Sequence, residues 1–327
     1  MNASTTTFTR PSHSDTNTYD LDFPFSLGAP TRSAGFRTVA EDFQVVEELG
    51  FSPEGTGEHL LLNIRKRDEN TRWVAKLLAQ HFDVAESTVG YCGMKDRRAV
   101  TTQWFSVQLP GSGSVVLPEL GGCEILASGR HPKKLRPGMH RENAFVIRLR
   151  FDDTAMPDIE SRLEMIAQHG VPNYFGEQRF GIAGNNLREV AAIVSSPQPR
   201  FRGKRGGLYL SAARSWLFNT VLAERVRRGT WRAGAVNDAP MWGRGRPEVA
   251  PEVAVEEAEI LADWQSWCNV LEHSGLRQER RAMVLAPRNF QWRWHGNDLE
   301  LSFSLPPGSY ATALLRELAQ LHTPSAA

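Results

Sequence analysis

The segment Gly90–Trp104, with the sequence GYCGMKDRRAVTTQW, joins a small-residue entry, a compact cluster of charges and a strand-like run. Asp96 lies in this cluster between Lys95 and the pair Arg97–Arg98. Neighbouring positive charge favours the ionised form of a carboxyl group, and an ionised carboxylate can act as a nucleophile or position a reacting group. The alternative is a solvated turn whose charges pair with one another and contribute little.

The composition is that of an ordinary soluble globular protein. With 327 residues the chain is long enough for two domains, at about 150 residues per domain. The formal net charge of +1 does not by itself indicate a partner, because nucleic-acid binding depends on how basic residues cluster. The three cysteines are widely spaced and form no C-x-x-C pair. They therefore support neither a disulfide framework nor a structural zinc site, and they predict free thiols in a reducing compartment.

No stretch of the chain approaches the ~20 apolar residues that a membrane span requires. The first 30 residues are rich in Ser, Thr, Asn, Asp and Pro and lack the apolar core of a signal peptide. We therefore expect a cytoplasmic protein with a flexible N-terminal extension, 1–34, and an ordered chain that starts near Gly35.

The apolar periodicity predicts an α+β protein. Strands are predicted at 43–47, 59–64, 103–109 and 144–151, and a helix capped by Asn70 or Thr71 follows the second of them. From Gly170 to about Leu285 the chain is mainly helical, with Ser211 as a helix cap. From Phe290 a hairpin and a final helix, capped by Ser309, are predicted. Because a lone hairpin is not stable, we expect it to complete the N-terminal sheet.

Basic residues concentrate in three places and favour nucleic-acid binding through phosphate contacts; these are Arg130–Arg141, the glycine-rich loop Arg200–Gly207, and the group Arg277, Arg280 and Arg281. Ordinary solvated faces are the alternative. The chain has no P-loop, no H-E-x-x-H helix and no G-x-S-x-G elbow. These absences disfavour nucleotide hydrolysis, zinc-protease chemistry and serine-esterase chemistry.

The segment Gly93–Gln103, GMKDRRAVTTQ, closely resembles the catalytic segment of the TruD family of tRNA pseudouridine synthases. Further resemblances follow in the family's order along the chain, from about Gly35 to Leu321. They are Ala40–Glu48, Asn143–Phe145, Val171–Gly181, Ser211–Ser215, Arg280–Met283 and Pro307–Thr312.

The resemblance implies a pseudouridine-synthase fold with a mixed, mostly antiparallel sheet and an inserted, mainly helical α/β TRUD domain. It places the catalytic domain at 35–169 and 286–327, and the insertion at 170–285. The implied reaction is isomerisation of a tRNA uridine to pseudouridine, at position 13 of the tRNA in bacteria. It needs no cofactor and no metal. The implied partner is tRNA, with no membrane and no obligate protein partner.

The resemblance also assigns roles to residues. Asp96 matches the nucleophilic aspartate of the family, and Phe43, Asn143 and Tyr310 match positions that contact the target nucleotide. Phe145 matches an active-site aromatic residue. Three features depart from the family pattern: Tyr310 stands where Phe is common, Arg37 stands near an expected Lys, and the insertion looks shortened between about Gly234 and Trp242.

The residues leave several alternatives open. Phe43 and Phe145 lie on alternating strands and can serve core packing instead of stacking on a base. Lys95 or Arg37 can hold Asp96 ionised and oriented, and we expect one cation at most to face the carboxylate. The carboxylate can attack C6 of the base or C1′ of the sugar. A non-catalytic RNA-binding protein and an RNA hydrolase are the competing functions.

Overall fold

The computed structural model describes residues 19–111, 115–152, 156–203, 205–232 and 236–323. These residues form two compact units. The first, called here the sheet unit, contains 25–174, 226–237 and 282–323, and the second, the helical unit, contains 19–24, 175–225 and 238–281. No helix in the described ranges is long and apolar enough to cross a membrane.

Fourteen strands and seven α-helices build the chain between these limits. The strands are β1 (Ser33–Phe36), β2 (Phe43–Glu48), β3 (His59–Arg67), β4 (Gly90–Tyr91), β5 (Val100–Gln108), β6 (Cys123–His131), β7 (Glu142–Arg150), β8 (Val171–Pro172), β9 (Asp238–Met241), β10 (Glu279–Ala282), β11 (Val284–Leu285), β12 (Arg288–His295), β13 (Asp298–Leu305) and β14 (Gln320–His322). The helices are α1 (Thr71–His81), α2 (Met156–His169), α3 (Asn185–Val194), α4 (Gly206–Arg227), α5 (Pro251–Ile260), α6 (Gln265–Glu272) and α7 (Ala311–Leu318).

A ten-stranded mixed sheet forms the centre of the sheet unit, in the order β12-β13-β7-β2-β5-β3-β6. At its side β1 pairs with β7 and β14, and β4 pairs with β5. The pairs β2–β5 and β1–β14 are parallel, and the other pairings of the sheet are antiparallel. The expected α+β class with a mostly antiparallel sheet is confirmed. The predicted C-terminal hairpin, β12–β13, completes the sheet, and its strand β13 pairs with β7 from Asn143 to Arg150.

The core of this unit lies between one face of the sheet and two helices. Alternation along β2 turns Phe43 and Val45 inward, and β7 contributes Phe145, Ile147 and Leu149 to the same buried cluster. Helices α2 and α7 cover this face with Ile159, Leu163, Ile166, Leu314 and Leu315. Each such side chain contributes roughly 1.5–3 kcal/mol when it is fully buried, so this packing fixes the register of β2 and β7.

Of the three helix N-caps predicted from the sequence, one is correct and two are wrong. Asn70 caps α1, as predicted, and its side chain accepts a hydrogen bond from the amide of Trp73 at 2.8 Å. The predicted caps Ser309 and Ser211 are wrong. Helix α7 starts one residue later with Tyr310 at its N-cap, and α4 already begins at Gly206. Inside α4 the Ser211 hydroxyl accepts a bond from Arg179 instead.

The predicted N-terminal extension, 1–34, is described in its second half, while 1–18 lie outside the described residues. The backbone amides of Ser26 and Leu27 donate to the buried carboxylate of Glu317, with the Leu27 bond at 3.1 Å. Ser33 then begins β1. Specific contacts therefore extend well before Gly35, where the sequence places the start of the ordered chain.

The helical unit contains α3, α5, α6, nearly all of α4 and the two-stranded β9–β10 sheet. Leu217, Val221 and Leu222 of α4 are completely buried. Glu257 of α5 is also buried and pairs with Arg225 and Arg280. The segment that looked shortened, 234–242, contains β9, and 233–235 lie outside the described residues.

Candidate active site

The loop between β4 and β5 carries Asp96 on its exposed side. The Asp96 side chain is 43% exposed, and its Oδ2 accepts a hydrogen bond from Nη2 of Arg37 at 2.8 Å. Arg97 and Arg98 are exposed, and Nε of Arg97 donates to the carbonyl of Asp68. A solvent-accessible carboxylate with one fixed cation beside it can reach a substrate and remain oriented.

Arg37 has the backbone conformation of a strained residue, with a φ of 57°. Its guanidinium lies 4.1 Å from the centroid of the Phe43 ring and 4.8 Å from that of Phe36. Left-handed backbone costs a non-glycine residue about 1–2 kcal/mol, and such strain persists where the surrounding structure determines it. The two aromatic rings and the Asp96 carboxylate thus hold the guanidinium in place.

Lys95 points to the buried side of the same loop. Its ammonium lies 2.9 Å from Oε2 of Glu47 and donates to Oδ1 of Asn143 at 2.7 Å. The Glu47 side chain is 0% exposed and that of Lys95 is 7% exposed. Of the two cations that the sequence offers to Asp96, Arg37 is therefore the one in contact with it, and Lys95 orients Asn143.

Asn143 is held at both ends of its amide. Its carbonyl oxygen accepts from Lys95, and its nitrogen lies 3.0 Å from Nε2 of His140. An amide NH₂ only donates, so Nε2 of His140 must accept, which places the ring proton on Nδ1. Burial and then the charge of Lys95 lower the pKa of His140, which favours this neutral ring. The side chain of Asn143 thus has a single orientation.

Glu47, Cys92 and His140 bring an oxygen, a sulfur and a nitrogen within 4.8 Å of one another, all buried. These atom types suit zinc, but the Lys95 ammonium already neutralises Glu47. Burial and then the charge of Glu47 raise the pKa of Cys92 to about 12, whereas a metal ligand must be a thiolate. The cluster therefore fits a lysine ammonium better than a metal ion.

The predicted aromatic residues lie mostly in the core. Phe43 and Phe145 are buried, with ring centroids 6.0 Å apart, and Phe145 stacks on Phe303 at 5.3 Å. Tyr310 is partly buried against the same cluster. Asp96, Arg37, Phe43 and Phe145 therefore form one continuous series of contacts, and Lys95 and Asn143 belong to a second. The roles of all these residues in a reaction stay predictions.

Two completely buried polar side chains hold the loop from below, and the sequence did not identify them. Thr71 Oγ1 accepts from the amide of Lys95 at 2.9 Å and donates to Oε1 of Gln103 at 2.7 Å. Nε2 of Gln103 then donates to the carbonyl of Gly93 at 3.1 Å. The available signal was a glutamine in the middle of a buried strand, since a buried amide must find partners.

Comparison with known proteins gives a consistent result. The chain matches the family "tRNA pseudouridine synthase D (TruD)" over residues 25–197 and 254–318. A protein of Cellvibrio japonicus with the name tRNA pseudouridine synthase D is 48% identical over 320 residues, covering 93% of this chain and 94% of that protein. A protein of Aeromonas hydrophila with the same name is 42% identical, covering 90% and 92% of the two chains.

A crystal structure of a TruD from Methanosarcina mazei, described as a putative tRNA pseudouridine synthase D, superposes with a TM-score of 0.67. The two chains share 19% sequence identity, and the match covers 92% of this chain and 96% of that one. This likeness shows the fold, which confirms the expected pseudouridine-synthase architecture. With close relatives at 42% and 48% identity over nearly the whole chain, the protein belongs to the tRNA pseudouridine synthase D family, a family of isomerases.

Proposed function

We propose that this protein converts a uridine of tRNA, at position 13, into pseudouridine, with Asp96 as the nucleophile. The observation that carries the proposal is the exposed Asp96 carboxylate, oriented by Arg37 at 2.8 Å, in the segment that resembles the family's catalytic loop. Family membership supports the reaction, and the geometry supports the choice of carboxylate. In this proposal 35–169 with 286–327 is the catalytic domain, and 170–285 is the TRUD insertion domain.

The reaction needs no change of oxidation state. The bond between N1 of uracil and C1′ of ribose breaks, the base turns, and C5 bonds to C1′. C5 then loses its proton and N1 gains one, so that atoms and electrons balance. The Asp96 carboxylate adds to C6 of the base or to C1′ of the sugar, and both routes return it unchanged at the end of the cycle.

The target uridine must leave its stack before the carboxylate can reach it, which costs a few kcal/mol. Stacking of a base on an aromatic ring offsets about 1–3 kcal/mol. Tyr310 is the partly buried ring among the predicted contacts, so we assign stacking to it before Phe43 and Phe145. Asn143, with its amide held by Lys95 and His140, is suited to hydrogen bonding with the uracil edge.

The direct test compares Asp96→Asn with the wild-type protein on a tRNA transcript, with pseudouridine detected by chemical modification and primer extension. We expect the rate to fall more than about 1,000-fold, as for removal of other catalytic nucleophiles. Asp83→Asn, a change at an exposed aspartate that follows α1, is the matched control and should retain the wild-type rate. An Asp96→Asn variant with the wild-type rate would refute the nucleophile assignment.

The same assay separates the competing functions. An RNA hydrolase would release free uracil or cut the strand, whereas the proposed isomerase leaves the tRNA chain intact. A non-catalytic RNA-binding protein would bind tRNA with the usual dependence on salt, but neither the wild-type nor the variant protein would produce pseudouridine.

A further inference from the structure

Lys66 is a lysine with a completely buried side chain beneath the loop of Asp96. It lies on β3, and 1% of its surface is exposed. Its Nζ donates to the backbone carbonyl of Glu69 at 2.5 Å and to that of Asp96 at 3.3 Å. Burying an ammonium group is costly unless it is hydrogen-bonded, and these two carbonyl oxygens are the partners that the fold supplies.

Four titratable groups face this amine: Cys123 from the neighbouring strand, and Glu69, Lys95 and Asp96 from the loops. Burial is the largest effect and lowers the pKa of Lys66 to about 8. The amine therefore passes from its charged to its neutral form in mildly alkaline solution. The charged form donates the stronger hydrogen bonds to carbonyl oxygens.

We propose that Lys66 is a positioning residue for Asp96, in which the buried ammonium ties the backbone carbonyl of Asp96 to that of Glu69. This inference rests on the proposed function, because it concerns the loop that carries the proposed nucleophile. Lys66 does not touch the substrate. It acts through the main chain of Asp96.

The other contacts described above hold different parts of the loop and do not bind the carbonyl of Asp96. Thr71 and Gln103 hold the backbone at Lys95 and Gly93. Arg37 holds the Asp96 carboxylate from the solvent side. The carbonyl of Asp96 lies between these anchors, and a shift of the backbone there would move the carboxylate away from Arg37. Displacing a reacting group by about 1 Å can cost 100-fold in rate.

The test uses Lys66→Met, which keeps an unbranched apolar side chain like the lysine stem and removes the terminal ammonium group. With wild-type tRNA transcript we expect kcat to fall about 10- to 100-fold, while KM for tRNA stays within about twofold because no substrate contact is lost. Lys76→Met, a change at an exposed lysine of α1, is the matched control and should keep both values.

A second measurement does not require activity. Amide hydrogen exchange, followed by mass spectrometry, reports on the peptide that contains 93–99. We expect Lys66→Met to raise the exchange of this peptide about fivefold or more, because local opening controls exchange, and to leave the peptides of α7 unchanged. An exchange rate equal to that of the wild-type protein, together with an unchanged kcat, would overturn the proposal.

The pH profile distinguishes positioning by the ammonium from simple packing. In the wild-type protein kcat should fall as pH rises through about 8, where Lys66 loses its proton. In Lys66→Met this decline should disappear, leaving a low and flat profile. Burial raises the pKa of Cys123, so titration of this thiol is an alternative cause of a fall in kcat at alkaline pH. Cys123→Ser must therefore retain the decline, and a Cys123→Ser profile without it would contradict the assignment.

The proposed function and the proposed role of Lys66 can be refuted separately. A wild-type protein that forms no pseudouridine refutes the proposed function, and loop exchange still tests the role of Lys66. Should Lys66→Met fail to fold, the wild-type protein alone suffices. Its loop exchange, corrected for the intrinsic effect of pH, must increase above about pH 8. Constant corrected exchange across that range would refute the role of Lys66.

Discussion

The exposed and buried sides of the loop between β4 and β5 are built in opposite ways. On the exposed side Asp96 makes one ion pair, with Arg37, whose guanidinium lies over the Phe43 ring. On the buried side Glu47 and Lys95 form an ion pair of almost no exposure, joined to Asn143. The difference indicates that the orientation of the Asp96 carboxylate and the stability of the loop depend on separate groups.

The largest expected effect concerns stability on the buried side. Glu47→Gln leaves the Lys95 ammonium without its counter-charge, and breaking a buried pair in this way costs about 3–5 kcal/mol. The measurement is urea unfolding followed by fluorescence. Glu48→Gln is the matched control, since the neighbouring residue points outward and pairs with Arg141 on the surface. If Glu47→Gln lowers the free energy of unfolding no more than Glu48→Gln does, the contrast between the two sides of the loop is refuted.

The next effect concerns activity on the exposed side. Arg37→Ala removes the donor to Asp96 and the cation over Phe43, so we expect kcat to fall about 100-fold with little change in the urea midpoint. Arg37→Lys should recover part of the rate, because a lysine supplies a point charge without the planar fork of arginine. Single-turnover rates at saturating enzyme measure this effect. A large loss of stability with an unchanged rate would show that Arg37 serves the core instead.

The smallest effect concerns tRNA binding. Arg98 is exposed beside Asp96, and we expect it to meet phosphate. Arg98→Gln should weaken tRNA binding and reduce the slope of log K against log salt by about 0.7–1, while kcat at saturating tRNA is retained. Arg65→Gln, a change at an exposed arginine that pairs with Glu124, serves as the control. An unchanged slope for Arg98→Gln would place the arginine outside the tRNA interface.

Predictions from sequence succeeded where the cause is local. The strand predicted at 43–47 is present as β2, and the cap at Asn70 follows from the unpaired amides of a first helical turn. The α+β class and the completion of the sheet by the C-terminal hairpin were also correct. The caps at Ser211 and Ser309 were wrong, since α4 already begins at Gly206 and α7 begins after Tyr310.

Local sequence patterns could not predict which side chains contact the loop between β4 and β5. Glu47, Lys66, Thr71 and Gln103 lie on β2, β3, α1 and β5, and they meet under the loop because β2 pairs in parallel with β5 and β3 pairs with its other edge. A buried polar side chain indicates that a partner exists, but not which one. Only the strand order supplies that answer.

By itself the sequence determined the class of fold, the family and the segment that presents Asp96, because strand periodicity, helix caps and motif order are local along the chain. Tertiary structure decided that Arg37 faces Asp96 while Lys95 turns to Glu47 and Asn143. The reason is physical. Charged residues adjacent in sequence could pair with the same partners. Which pairs form depends on which groups the folded sheet buries and which it leaves in water.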